Sequence, residues 1–236
     1  MSIALEDCFF YTLMELPGEI IPGSWDLRAC ADDYLGRLDY RGRSVLEIGP
    51  ASGFLTFMME GRGAEVTAIE MGNGFLGHPV PHIGTSELLP SREDLMRRVH
   101  NGFWYSHNKM QSRAKVHYGD AGKPPAELGT FDIGLLGAVL LHSRDPLALL
   151  QTCAERCRTL VITEAWHPWM DGNSTPVMRL VPDAENQNPH TWWEFTPALL
   201  EAAASIWGFT KTRLLTHAAL HGGGQPYPLY TLVLER

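Results

Sequence analysis

Residues 45–70, VLEIGPASGFLTFMMEGRGAEVTAIE, constrain the fold more than any other stretch of the chain. An apolar run ends at Gly49, a short turn reaches Gly53, a helix-like segment follows, and a second β-rich run stops at Glu70. Two parallel strands need a crossover of about this length, so the pattern reads as strand, glycine turn, helix, strand. Gly49 and Gly53 let the backbone turn tightly and approach a ligand, and the helix expected to begin near Ser52 adds free N–H groups.

The rest of the chain keeps alternating. A loop-rich lead, LPGEIIPGSWD, and a helix expected near 26–39 precede the first strand. Leu95, Val99 and Phe103 recur every four residues, and Ser91 and Asp94 have capping-box spacing, which predicts a long helix over 91–112. KVHYGD (115–120), FDIGLLGAVLL (131–141) and TLVITEA (159–165) read as strands, with a helix from Asp145-Pro146 to about Arg156 between the last two. After an irregular stretch, Thr196-Pro197 opens a helix that Gly208 ends, and 210–218 and 229–235 form a terminal strand pair. The expectation is an α/β, Rossmann-like doubly wound sheet, mostly parallel, with a terminal antiparallel hairpin.

Composition narrows the function classes. A chain of 236 residues with 44% hydrophobic content suits one domain, or a domain with a modest subdomain. Its net charge is −8 and its four lysines all lie at or after Lys109, which argues against non-specific nucleic-acid binding. MSIALEDCFFYTLMEL carries acids in its apolar stretch, so neither a signal peptide nor a membrane span is expected, and a cytoplasmic address is the default expectation. Cys8, Cys30, Cys153 and Cys157 form no CxxC pair and have no histidine at finger-like spacing; reduced thiols are expected, and no metal. His78 and His82 of HPVPH sit on a stiff loop and read as solvated or hydrogen-bonded.

Dinucleotide sites use G-x-G-x-x-G to seat pyrophosphate on a helix N-terminus, but here Glu47 precedes Gly49-Pro50-Ala51-Ser52-Gly53. A pyrophosphate would meet a carboxylate. S-adenosylmethionine has the opposite needs: Glu47 can face its ammonium side, and Glu70 can accept both ribose hydroxyls. Asp120, ending YGD, falls where an acid could accept from the adenine amino group.

With E-x-G-x-x-x-G, the acid of AIE, GD and FDIGLLGAVLLH in order, residues 40–165 resemble a class I S-adenosylmethionine-dependent methyltransferase. The family's central motif glycine is Ala51 here. The resemblance implies a seven-stranded sheet, and a cofactor cleft also bordered by Ser52, Met71, Ala121 and Gly137. It implies a lead, 1–40, that closes over the cofactor, and a methyltransferase domain, 41–236, whose segments 71–113 and 166–196 are substrate-side insertions. PGSWD and GAVLLHSRDPLALL further resemble the branch related to bacterial tRNA wobble-uridine methyltransferases. By that likeness Trp25, and with it Tyr11, would close over the methionine end. That branch's carboxymethyl-transferring members use leading lysines and a tyrosine before the histidine; here no lysine precedes Lys109 and Leu141 holds the tyrosine position, which favours ordinary methyl transfer.

Methyl transfer mainly requires acceptor and methyl to be held together with water excluded. Trp104, Tyr105 and Asn108 on the long helix, with Trp166, His167 and Trp193 beyond the fifth strand, are the expected acceptor contacts. His142 is the first candidate for proton removal, with a capping or supporting role as the alternative, and His107, His167 and Glu164 stand in reserve. The expected function is methylation of a small aromatic or apolar molecule; the alternatives are a tRNA wobble-uridine-type RNA methyltransferase and a non-catalytic cofactor-binding partner protein. The oligomeric state is open.

Overall fold

The computed structural model describes residues 3–82 and 89–236. In the lead, β1 (Met14–Leu16) and β2 (Glu19–Ile21) pair about a Pro17-Gly18 turn, and β3 (Trp25–Asp26) follows. The helix expected over 26–39 is only a 3-10 turn at Arg28–Cys30 and the single turn α1 (Ala31–Tyr34). Positive φ at Gly36 and Arg37 stops it, a left-handed exit that helix geometry cannot continue through.

The quoted stretch folds as expected into β4 (Ser44–Ile48), α2 (Phe54–Gly61) and β5 (Glu65–Glu70), with the helix starting two residues later than Ser52. Helix α3 (Leu89–Met110) begins ahead of Ser91, which lies inside it rather than at its cap. Next come β6 (Lys115–Tyr118), β7 (Phe131–Gly137), α4 (Pro146–Arg156) and β8 (Cys157–Ala165). Asp145 caps α4 by accepting from Ala148 N at 3.0 Å, as its place before proline implied. The stretch read as irregular contains β9 (Met178–Leu180) paired antiparallel with β10 (Trp193–Phe195). Thr196 caps α5 (Pro197–Ser205), and β11 (Lys211–His221) and β12 (Gln225–Glu235) form a longer terminal hairpin than the sequence suggested.

The main sheet runs β3-β11-β12-β8-β7-β4-β5-β6. It has eight strands rather than seven because Trp25 and Asp26 pair with His221 and Leu220 at one edge. Strands β4 to β8 are parallel within it, and β12 enters antiparallel beside β8. Successive residues of the central strands face opposite layers. Leu46, Leu136, Leu160 and Ile162 pack among residues of α4 and α5, while Val45, Leu135 and Val161 pack with Leu35, Tyr40 and Met59. Burial on both faces is what near-continuous apolar runs in parallel strands indicate. It aligns the carboxyl ends of β4, β5 and β7: Ile48 pairs with Ile69 on one side and Leu136 on the other.

Among the described residues no helix is long and apolar enough to cross a membrane. All four cysteines are buried free thiols.

Candidate functional site

Beyond those three strand ends lies a cavity of about 250 Å³. Gly49 has φ +69, and a Cβ there would come within 2.8 Å of Val139; Gly53 has φ +92, and its Cβ would collide with the Phe57 ring. The turn therefore needs glycine at both positions, for conformation and for space. Ala51, with φ +49, holds the left-handed conformation without that freedom.

Glu70 ends β5 at the cavity wall. Its Oε2 accepts from Ala51 N at 2.9 Å and its Oε1 from Met71 N at 2.8 Å. Burial raises its pKa to about 6 against the lowering effect of these two N–H groups. Each carboxylate oxygen keeps a lone pair for a further donor. Asp120, Ala121 and Met71 also line the cavity, and Asp120 Oδ1 accepts from Gly122 N at 2.9 Å. Tyr11 stands close enough for its phenol to feel both Arg92 and Glu70, and burial raises its pKa.

Other residues expected at the cofactor are placed differently. Glu47 is 2% exposed and accepts from Thr56 Oγ1 at 2.5 Å, beneath α2 rather than in the cavity wall. Burial pushes its pKa up to about 8. Gly137 makes room for the Tyr34 ring, 2.9 Å from where its Cβ would be. Trp25 lies against His221, ring centres 4.2 Å apart, and meets Tyr227 edge-on. The Ser52 hydroxyl is buried in the turn with no partner among the described residues.

His142 lines the same cavity, its Nδ1 2.7 Å from His190 O. Since a carbonyl only accepts, Nδ1 carries the hydrogen and Nε2 is the free acceptor. The residue opens onto solvent at the cavity, yet protein surrounds it at longer range, and that desolvation holds its pKa below the usual imidazole value. His190 is in turn held by Arg92, whose Nη1 lies 3.1 Å from its Nδ1 and whose Nε donates to Leu76 O at 2.5 Å. Trp192 Nε1 donates to His78 O at 2.6 Å, and Val80 N to Pro189 O at 3.0 Å. The segments around 76–82 and 188–192 are thereby stitched together across the cleft. His82 joins them, its Nε2 3.4 Å from Asn188 O.

A second cavity, of about 170 Å³, lies past β8, with Leu141, Glu164, His167, Trp193 and Tyr227 in its wall. Glu164 is 2% exposed and accepts from Leu140 N at 3.2 Å. Glu194 accepts from Arg179 at 2.6 Å and Trp169 at 2.5 Å, with His167 Nε2 at 3.5 Å. Trp166 donates to Asp171 at 2.7 Å and packs against the buried core from its edge.

The aromatic run on α3 reaches neither cavity. Trp104 Nε1 donates to the Tyr118 hydroxyl at 2.8 Å, Tyr105 donates to Glu19 at 2.8 Å, and His107 Nε2 sits 3.2 Å from Ala114 O among Phe57, Phe103 and Trp104. Asn108 is exposed. These side chains dock the lead hairpin and β6 onto the helix. Arg92, His190, Glu194 and Tyr227 were not expected at the cleft. No local pattern marks them, because each meets its partner through a distant segment.

No family model matches the chain. It is 30% identical over 183 residues to a ubiquinone biosynthesis O-methyltransferase of Psychrobacter arcticus, covering 74% of this chain and 62% of that protein. The chain thus spans less than two thirds of the length of the curated relatives it matches. Among solved structures, it is similar to the N-terminal domain of EvdMO1 in the presence of SAH and D-fucose, with a TM-score of 0.58 at 20% identity, covering 98% of this chain and 92% of the other. The glycopeptide N-methyltransferase MtfA gives 0.54 at 15% identity, covering 97% and 93%. The fold is that of the class I methyltransferases, a mostly parallel α/β sheet closed by an antiparallel hairpin.

Proposed function

We propose that the chain is an S-adenosylmethionine-dependent methyltransferase acting on a small molecule, with the cofactor in the larger cavity and the acceptor in the smaller. One observation carries the cofactor assignment: Glu70 closes the Gly49–Gly53 turn with its own carboxylate, taking the Ala51 N–H that a pyrophosphate would need. A ribose diol instead supplies donors to those same oxygens. The acid at Asp120, in the same cavity wall, fits the same polar, cationic guest. When bound, that cofactor supplies a methyl group on a sulfonium.

The chain's own residues then position and enclose. Tyr11 borders the Glu70 end, and we place the lead 1–40, with Trp25, as a cover on that side. The stitched segments within 71–113 and 166–196 act as the substrate-side insertions that exclude water. His142 ties down the 188–192 segment by donating from Nδ1 to His190 O, and we assign it this latching role ahead of the proton-accepting role its position first suggested. Trp166, His167 and Trp193 belong to the acceptor side. The solved neighbours include enzymes named for small acceptors, a glycopeptide and 1,6-didemethyltoxoflavin, which supports the same substrate class here. The narrower likeness to the wobble-uridine branch rests on PGSWD and GAVLLHSRDPLALL alone; the small, acid-lined second cavity favours a metabolite over RNA. A cytoplasmic setting agrees with four buried, unpaired thiols.

Titration calorimetry tests the reading: S-adenosylmethionine or its demethylated product should bind at micromolar levels, and methyl-labelled cofactor should mark a small product in metabolite extracts. Binding of NAD without either sulfur nucleotide would sink it. Label entering tRNA, with steeply salt-dependent tRNA binding, would move the acceptor to RNA. Cofactor binding with no label transfer to any extract would favour a non-catalytic partner protein.

A further inference from the structure

We infer that the acceptor is a small molecule bearing a basic amine, held as its ammonium by Glu164 in the second cavity; this rests on the methyltransferase reading above. Glu164 stands at the carboxyl end of β8, takes backbone N–H groups from Leu140 and Leu141, and has no lysine or arginine partner among the described residues of the cavity wall. The other carboxylate there, Glu194, is already neutralised by Arg179 at 2.6 Å. The rest of the wall mixes apolar groups with Trp193, Phe195, Tyr227, Asn188, Thr191 and His167, whose pKa burial lowers, and among the described residues neither lysine nor arginine lines it. A buried carboxylate without a counter-ion is costly, so with no cation beside it Glu164 stays protonated at neutral pH, and a cation that enters and pairs with the ionised form removes that cost. Aromatic faces around such a carboxylate favour cations further. A carboxylate or phosphate ligand would find no lysine or arginine to pair with among the described residues of the wall.

The position also suits the chemistry. Leu140, whose N–H Glu164 accepts, belongs to the Val139–His142 segment that separates the two cavities: Val139 and His142 face the larger, Leu141 the smaller. An amine anchored at Glu164 thus lies against the segment that borders both cavities. An ammonium has no lone pair, so one N–H proton first passes to a Glu164 oxygen. The freed pair forms the N–C bond to the methyl, the C–S bonding pair returns to sulfur as a neutral thioether, and the product leaves as a methylated ammonium. With no cation beside it, burial raises the Glu164 pKa to about 8, which favours its taking that proton, while the bound ammonium acts the other way.

The test uses benzylamine, benzyl alcohol and benzoate as probes of the full chain saturated with S-adenosylhomocysteine, read by ligand-observed NMR titration. Benzylamine should bind at least tenfold tighter than benzyl alcohol, and benzoate should not bind. Glu164→Gln, which keeps size and hydrogen bonding but removes the charge, should abolish that preference and leave the S-adenosylhomocysteine titration unchanged. A screen of amine metabolites with labelled cofactor should yield N-methylated product. Alcohol binding equal to amine binding, or an amine preference surviving in Glu164→Gln, would overturn the inference. If S-adenosylhomocysteine itself fails to bind, the methyltransferase reading falls, while the probe preference in the unsaturated protein still decides whether Glu164 selects amines.

Discussion

The two cavities flanking the Val139–His142 segment are built by different means. The larger is framed by the ends of central parallel strands and by a turn whose residues lie within a few positions of one another. The smaller is framed by the end of β8, by β10 and by Tyr227 from the terminal hairpin, brought together over long stretches of chain. Strand ends set by a buried ladder hold their groups in fixed geometry, whereas a wall assembled from insertions can be changed without rebuilding the sheet. Such a division lets one fold keep one site fixed and vary the other.

The largest expected effect concerns a carboxylate that belongs to neither wall. Glu47 lies under the cofactor turn with a pKa raised from 4.5 to about 8. The folded state thus holds a proton that the unfolded chain has released, so this contribution to stability is fully present below pH 4.5 and is lost as pH rises through about 8. Glu47→Gln, keeping the Thr56 contact, should raise stability at pH 8 by ~3 kcal/mol and flatten the pH dependence of denaturant midpoints. An unchanged midpoint would mean that Glu47 is ionised in the fold and reaches the ligand side after all, breaking the division between supporting core and cavity wall.

Next in size is Glu70→Ala, which should weaken S-adenosylmethionine by ~1.5–3 kcal/mol in calorimetry, the scale of hydrogen bonds to a charged group. It should leave benzylamine binding in the second cavity intact. Loss of both would show that the cavities are one coupled site.

His142→Ala removes the hydrogen bond to His190 O, and cofactor affinity should fall by ~1 kcal/mol while turnover at saturating cofactor stays within about tenfold. Undiminished affinity with turnover lowered ~10²–10⁴-fold would restore His142 as the proton acceptor. In that case the acidic limb of the rate profile should lie below pH 6.5, since the histidine's pKa is lowered from that value and the rate rises as its proton leaves. By contrast, Trp104→Ala and His107→Asn should change stability and leave cofactor affinity unaltered.

The smallest expected effect is a gain. Ala51→Gly relieves a positive φ and should raise thermal stability by up to about 1 kcal/mol without altering Glu70's contact with the turn. Weaker cofactor binding in that variant would show that the rigidity of the alanine turn contributes to the site.

What the sequence determined by itself is what a short window encodes. Strand, glycine turn, helix and strand at 44–70, the Asp145 and Thr196 caps, and Glu70 and Asp120 beside the cleft follow from periodicity, capping and turn chemistry acting over a few residues. Only the tertiary structure decided which side chains meet from afar. It sent Glu47 to Thr56 instead of the cavity, used the α3 aromatics to dock the lead and β6, and added an eighth strand through Trp25 and Asp26. It also joined Arg92 to His190 across 98 positions and His142 to His190 across 48. The reason is physical: local patterns specify an element and its buried face, but the partner of a polar side chain on that element depends on how distant segments pack, and no single window carries that information.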